Sequence, residues 1–169
     1  RDVTLPTLNN VIDEVDLLAK RYKNLPMLAR THGQSASPTT LGKEFKVFGA
    51  RLGRQVEMIE EYSMLAKLSG ATGNYHAHMA AFPSVDWEKF SQGFVKKLSV
   101  AQKIRLEHNS ITTQIESHDT VAELFDVMKR INVILINFNQ DIWRYISDAW
   151  IVQKPKAGEV GSSTMPHKV

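Results

Sequence analysis

The sequence predicts an all-α protein, a bundle of long helices, on three observations. Long segments carry apolar residues at three- and four-residue steps, and polar or glycine-rich connections separate them. No segment of any length alternates apolar with polar residues. At 169 residues, with 43% hydrophobic and 23% charged side chains, the chain has the length and composition of one globular domain.

The first helix is expected over about residues 3–22, where Leu5, Leu8, Val11, Ile12, Val15, Leu18 and Tyr22 share a face and Asn24-Leu25-Pro26 ends the pattern. The second is expected over about 38–68. Ser37 supplies an N-cap, and Pro38 takes the first helical position, where its missing N–H costs nothing. Leu41, Phe45, Phe48, Leu52, Val56, Ile59 and Leu65 form its stripe. Gly42, Gly49 and Gly53 lie inside that helix. Each costs up to about 1 kcal/mol relative to Ala, which points to a close helix–helix approach at those positions.

Ser69-Gly70-Ala71-Thr72-Gly73-Asn74 then breaks the periodicity. A shorter helix over about 85–98 places Trp87, Phe90, Phe94 and Leu98 on one side. Asp119 caps the longest helix, about 120–152, with a stripe through Val121, Leu124, Phe125, Met128, Ile131, Leu135, Phe138, Ile142 and Tyr145. Roughly 30 residues of helix span about 45 Å. Three long helices do not close a core as four or five would, and Val133, Ile134, Ile136, Trp143 and Trp150 fall off the main stripe. The rest of a longer chain, and then other subunits, are expected to cover the remaining faces. The missing initiator Met and the start inside a helical pattern suggest a chain cut at both ends. Residues 1–169 are therefore expected to be a single helical-bundle region that closes on a loop at 158–169.

Charge and composition exclude several classes. Lys and Arg exceed Asp and Glu by three, an ordinary surface balance that also suits an anionic ligand. No basic run is interleaved with aromatics, so no nucleic-acid partner is expected. The absence of cysteine removes disulfides, thiolate nucleophiles and thiolate metal sites, and fits a reducing, cytoplasmic setting. No stretch reaches the roughly 18 apolar residues of a membrane span, so no membrane partner is expected.

Three polar segments between helices hold the candidate chemistry: Ala29–Pro38 (ARTHGQSASP), Ser110–Asp119 (SITTQIESHD) and Gly158–Val169 (GEVGSSTMPHKV). The sequence has no G-x-S-x-G elbow. Met165 stands three before Lys168, which excludes an S-x-x-K pair, and Gly42-Lys43 runs into Glu44 rather than the Ser or Thr of a phosphate-binding loop. His76 and His78 lack the spacing and the acid of a zinc motif, so no metal and no cofactor are expected. Taken alone, His32 is a loop histidine, and Ser162 and Ser163 are loop serines.

Two stretches carry a family resemblance. GSSTMPHKV at Gly161–Val169 resembles the signature loop of the fumarase/aspartase superfamily, G-S-S-x-M-P-x-K-x-N, up to the position before its final Asn. RTHGQSASPTTLGKE at Arg30–Glu44 resembles the second signature block. The His before Lys168, with GATGNYHAHMAAFPSVDW and TTQIESHD, is most similar to the adenylosuccinate lyase branch. That resemblance covers essentially the whole chain. It implies the central helical domain of a homotetramer whose active sites gather blocks from three subunits, and a β-elimination of fumarate from adenylosuccinate and from the succinyl-carboxamide ribotide.

By the resemblance, Ser162 is the general base, His32 the general acid, and Thr31, Gln114, Ser163 and Lys168 bind substrate. The chemistry suits these types. A serine base needs an activating site, which consecutive loop N–H groups and a lysine supply, and imidazole titrates near neutrality. A carboxymuconate cycloisomerase of the same superfamily and a non-catalytic helical protein are the competing readings. The 169 residues alone are expected to be inactive, because the phosphate-binding N-terminal block is not among them.

Overall fold

The computed structural model describes residues 2–165. It divides into two compact units, Arg1–Arg130 and Ile131–Val169.

In the first unit, α1 (Thr4–Arg21) and α2 (Leu41–Glu61) pack along their length. Their apolar positions follow the helical repeat. Leu8, Val15 and Ala19 of α1 are buried, as are Leu41, Phe45, Phe48, Leu52, Val56 and Ile59 of α2. The Lys46 ammonium holds the Asp16 carboxylate at 2.8 Å across the pair. At Gly42 the backbone at the C-terminal end of α1 presses directly on α2. A Cβ there would stand 2.5 Å from the Lys23 Cα and 2.6 Å from its N. Gly49 faces only the Asp16 side chain, and Gly53 has nothing within 4 Å among the described residues. The close approach expected at all three glycines is therefore a backbone contact at Gly42, a side-chain contact at Gly49 and absent at Gly53.

The expectation of an all-α chain needs correction, because the helices are joined by two small sheets. Strands β1 (Pro26–Thr31) and β2 (Gln34–Thr40) form an antiparallel hairpin, with Thr31 opposite Gln34 and Leu28 opposite Pro38. Its two-residue turn is His32-Gly33, with φ of 53° and 73°. Positive φ at both positions is the turn whose twist matches paired strands. Pro38 thus lies in an edge strand, where a missing N–H is tolerated, rather than at a helix start. The α2 N-cap is Thr40, whose hydroxyl accepts from the Lys43 N–H at 3.2 Å.

The second helix also ends earlier than its stripe suggests. Tyr62 is extended, and β3 (Met64–Ala66) pairs in parallel with β4 (Leu106–His108), which places Leu65 in a strand. Two further helices lie between these strands, α3 (His76–Ala81) and α4 (Trp87–Ala101). On α4 the buried residues are Ser91 and Val95, while Phe90 and Phe94 are exposed. The expected apolar side is therefore the outer one. Ser91 is buried because its hydroxyl reaches the Leu68 carbonyl at 2.6 Å, a contact that a small polar residue makes and an aromatic ring cannot. The aromatics stack on one another instead, with Phe90 and Phe94 centroids 6.4 Å apart.

The long helix α5 (Asp119–Ser147) starts in the first unit and continues into the second. Its buried positions are Val127, Ile131 and Ile134, with Phe125 and Met128 exposed, so the inward stripe is rotated from the expected one. It stops at Ser147 rather than near 152 because Ala149 turns left-handed, at φ 59°. The Trp150 N–H then reaches the Tyr145 carbonyl, and the Ala149 N–H that of Ile146, which closes the helix end. Val133, Ile136 and Trp143 remain exposed. No helix among the described residues is long and apolar enough to cross a membrane.

Candidate functional site

Thr31 and His32 sit together at the tip of the β1–β2 hairpin. Thr31 ends β1, and His32 occupies the first turn position; both are exposed. A left-handed conformation is uncommon for a non-glycine residue, and His is among the types that tolerate it. Gly33 follows, and its carbonyl accepts from the Arg30 guanidinium at 3.2 Å. The imidazole therefore stands at the exposed tip of the hairpin, open to a ligand.

Gln114 lies on the loop that leaves the C-terminal end of β4. The parallel partner strand β3 ends beside it, so the loop after β3 and the loop after β4 emerge side by side. The Asn109 N–H continues the ladder onto the Ala66 carbonyl at 2.9 Å. Beyond it, the two loops dock. Ser69, 1% exposed, has its Oγ 3.2 Å from the Thr112 Oγ1. Gly73, at φ 80°, packs on the carbonyls of Thr112 and Thr113 so closely that a Cβ would stand 2.6 Å from the Thr113 oxygen. Gln114 is the next residue and is exposed.

The other side of Gln114 is tied by Glu116. Its carboxylate accepts from the Asn109 amide at 3.1 Å and from the His118 N–H at 2.7 Å, while the Ser117 hydroxyl donates to the Asp119 carboxylate at 2.9 Å. The His118 N–H is the chief cause that holds the Glu116 carboxyl below its ordinary value of 4.5; burial opposes it, and the Asn109 amide adds a lesser lowering. The sequence marks Ser69 and Gly73 only as a break between helices and Glu116 only as part of a polar segment, with no contact to the loop of Gln114 assigned to any of them. A glycine followed by a turn residue was the available signal for Gly73, whereas contacts that span 43 residues, as Ser69–Thr112 does, leave no local pattern.

Ser162 and Ser163 lie in the second unit, on the irregular segment after α5. Ser162 is half-buried and Ser163 exposed. The Ser162 Oγ accepts from two consecutive backbone donors, the N–H of Thr164 at 3.3 Å and that of Met165 at 3.2 Å. Two converging N–H groups are an arrangement that favours negative charge on that oxygen. Lys168 lies outside the described residues. Among the described residues no three His, Asp or Glu side chains gather as a metal site would require.

Comparison with known proteins adds the family. The family described as Lyase matches residues 1–169. The adenylosuccinate lyase of Vibrio cholerae is 49% identical over 167 residues, 99% of this chain and 36% of that protein. Those of Escherichia coli K12 and Dictyostelium discoideum are each 48% identical, over 99% of this chain and 36% and 35% of their own lengths. The chain thus spans about a third of the length of these curated relatives. With a match that runs from its first residue to its last, the chain belongs to the lyase family.

Proposed function

We propose that this chain is the central region of an adenylosuccinate lyase, which eliminates fumarate from adenylosuccinate to give AMP and from the succinyl-carboxamide ribotide (SAICAR) to give AICAR in purine nucleotide biosynthesis. The observation that carries this reading is 48–49% identity to three adenylosuccinate lyases over 99% of the chain.

Ser162, as an alkoxide supported by the Thr164 and Met165 N–H groups, takes the proton from the carbon beside a substrate carboxylate. The C–H electron pair becomes the new C=C bond of fumarate as the C–N bond breaks. Charge that develops on the carboxylate is held by Lys168 and Ser163. His32, on its hairpin tip, donates the proton that the leaving nitrogen requires. Thr31 and Gln114 bind the substrate's polar groups. No cofactor enters these steps. The reading places the enzyme in the cytoplasm, and residues 1–169 within one helical-bundle region of a homotetramer with shared active sites. The exposed Phe125, Val133, Ile136 and Trp143 of α5 support such partners.

A substrate panel with the full-length protein tests the reading. Fumarate release from adenylosuccinate and SAICAR, without lactone formation from carboxymuconate, is the expected result. Lactone formation would transfer the chain to the cycloisomerase branch, and silence toward all three substrates would leave a structural protein.

A further inference from the structure

The two ends of the Gln114 segment are fastened by residues for which the proposed chemistry has no use. Before Gln114, the carbonyls of Thr112 and Thr113 are pressed against Gly73, and the Thr112 hydroxyl is bonded to the buried hydroxyl of Ser69. After it, Glu116 accepts from the Asn109 amide and the His118 N–H, which closes the loop on its own base. Ser69 itself is placed by a local frame: its carbonyl accepts from the Tyr75 N–H at 3.0 Å, and the Gly70 carbonyl accepts from the Lys67 ammonium. Tyr75 adopts φ 55°, and its hydroxyl lies 3.4 Å from the His108 Nε2 at the end of β4. Strain of this kind persists where the surroundings over-determine it. The result is an exposed amide between two fixed points.

We propose that Ser69, Gly73 and Glu116 are positioning residues that hold Gln114 in the geometry that binds substrate. The inference rests on the reading of Gln114 as a substrate-binding residue. Preorganisation of this kind lowers the ordering cost that substrate binding would otherwise meet, so its loss appears in KM before kcat. Gly73 tolerates no side chain, because φ 80° and the Thr112–Thr113 carbonyls both exclude one. The Ser69 hydroxyl and the Glu116 carboxylate are separable from folding, since Ala at 69 leaves the backbone turn intact and Gln at 116 keeps one acceptor oxygen.

Steady-state kinetics of full-length Ser69→Ala, Glu116→Gln and Gln114→Ala, each alone and as the two doubles with Gln114→Ala, tests this. Ser69→Ala and Glu116→Gln are expected to raise KM for adenylosuccinate about three- to tenfold, the fold-change of roughly one neutral hydrogen bond, with kcat little altered. On the Gln114→Ala background neither should raise KM further. If Gln114→Ala itself leaves KM unchanged, the reading of Gln114 fails and the inference falls with it. If Gln114→Ala raises KM but the other two variants do not, or their effects persist undiminished in the doubles, Gln114 stands and the positioning role is overturned.

Discussion

The three glycines of α2 make a graded test of helix packing in one element. Substitution by Ala removes the same backbone entropy at each, a gain of about 0.5–1 kcal/mol of helix propensity. Their surroundings then separate them. At Gly42 the new methyl would meet the Lys23 backbone at 2.5–2.6 Å and the Ala19 carbonyl closer still. None of these atoms is the far end of a flexible side chain, so α1 and α2 must move apart. Overpacking costs about 1–3 kcal/mol, and a backbone obstacle belongs at the upper end. Against about 1 kcal/mol of propensity, Gly42→Ala should lose about 2 kcal/mol net. At Gly49 the obstacle is the Asp16 carboxylate, 2.5 Å away but able to rotate, so Gly49→Ala should fall near neutral, with the Lys46 ion pair weakened. Gly53→Ala meets nothing and should gain about 0.5–1 kcal/mol. Urea denaturation of the full-length variants at one protein concentration gives the order, and hydrogen exchange of the α1 and α2 amides localises it. A Gly42→Ala protein as stable as the parent would refute the close-approach argument. A loss at Gly53 would show a surface of another chain on that side of α2.

Two further outcomes follow from the site. The Glu116 carboxyl titrates below 4.5 in the folded chain, so its contribution to the 109–118 loop is fully present above that value and is lost as pH falls through the lowered one. Protection of the His118 amide from exchange should follow that course, and in Glu116→Gln it should be weakened above that pH range and no longer depend on this carboxyl; loss of protection already above the ordinary carboxylate value would contradict it. On the proposed reading of active sites shared between subunits, the isolated 169 residues should release no fumarate from adenylosuccinate, and measurable turnover by this piece would overturn that reading.

The helices α1 and α2 were legible because both stripes keep a regular three- and four-residue step through Leu8 and Val15 and from Leu41 to Ile59. The hairpin was not. Its strands, PMLART and QSASPTT, carry few β-branched or aromatic residues, and Ser37-Pro38 imitates a helix start. Only His32-Gly33, as a two-residue turn, signalled it. Strands of three residues such as β3 and β4 are too short for any alternation to register, yet their parallel pairing brings the Ser69–Gly73 and Thr112–Gln114 loops together. On α4 and α5 the period was right and the phase was wrong. Bulky aromatics at Phe90, Phe94 and Phe125 imitate an inward face, whereas the buried faces are built on Ser91, Val95 and Val127. The site residues came from motif resemblance rather than from periodicity. What the motif could not supply was their setting: the left-handed tip under His32, the two N–H groups on the Ser162 oxygen and the Glu116 tie.

The most direct measurement is the rate of fumarate release from adenylosuccinate by full-length Ser162→Ala, beside His32→Ala and the parent. The account predicts that each substitution lowers the rate on the order of 10² to 10⁴ while secondary structure and oligomeric state are kept. A Ser162→Ala enzyme that releases fumarate at near the parent rate would contradict it, and would remove this serine from the proton abstraction on which the mechanism depends.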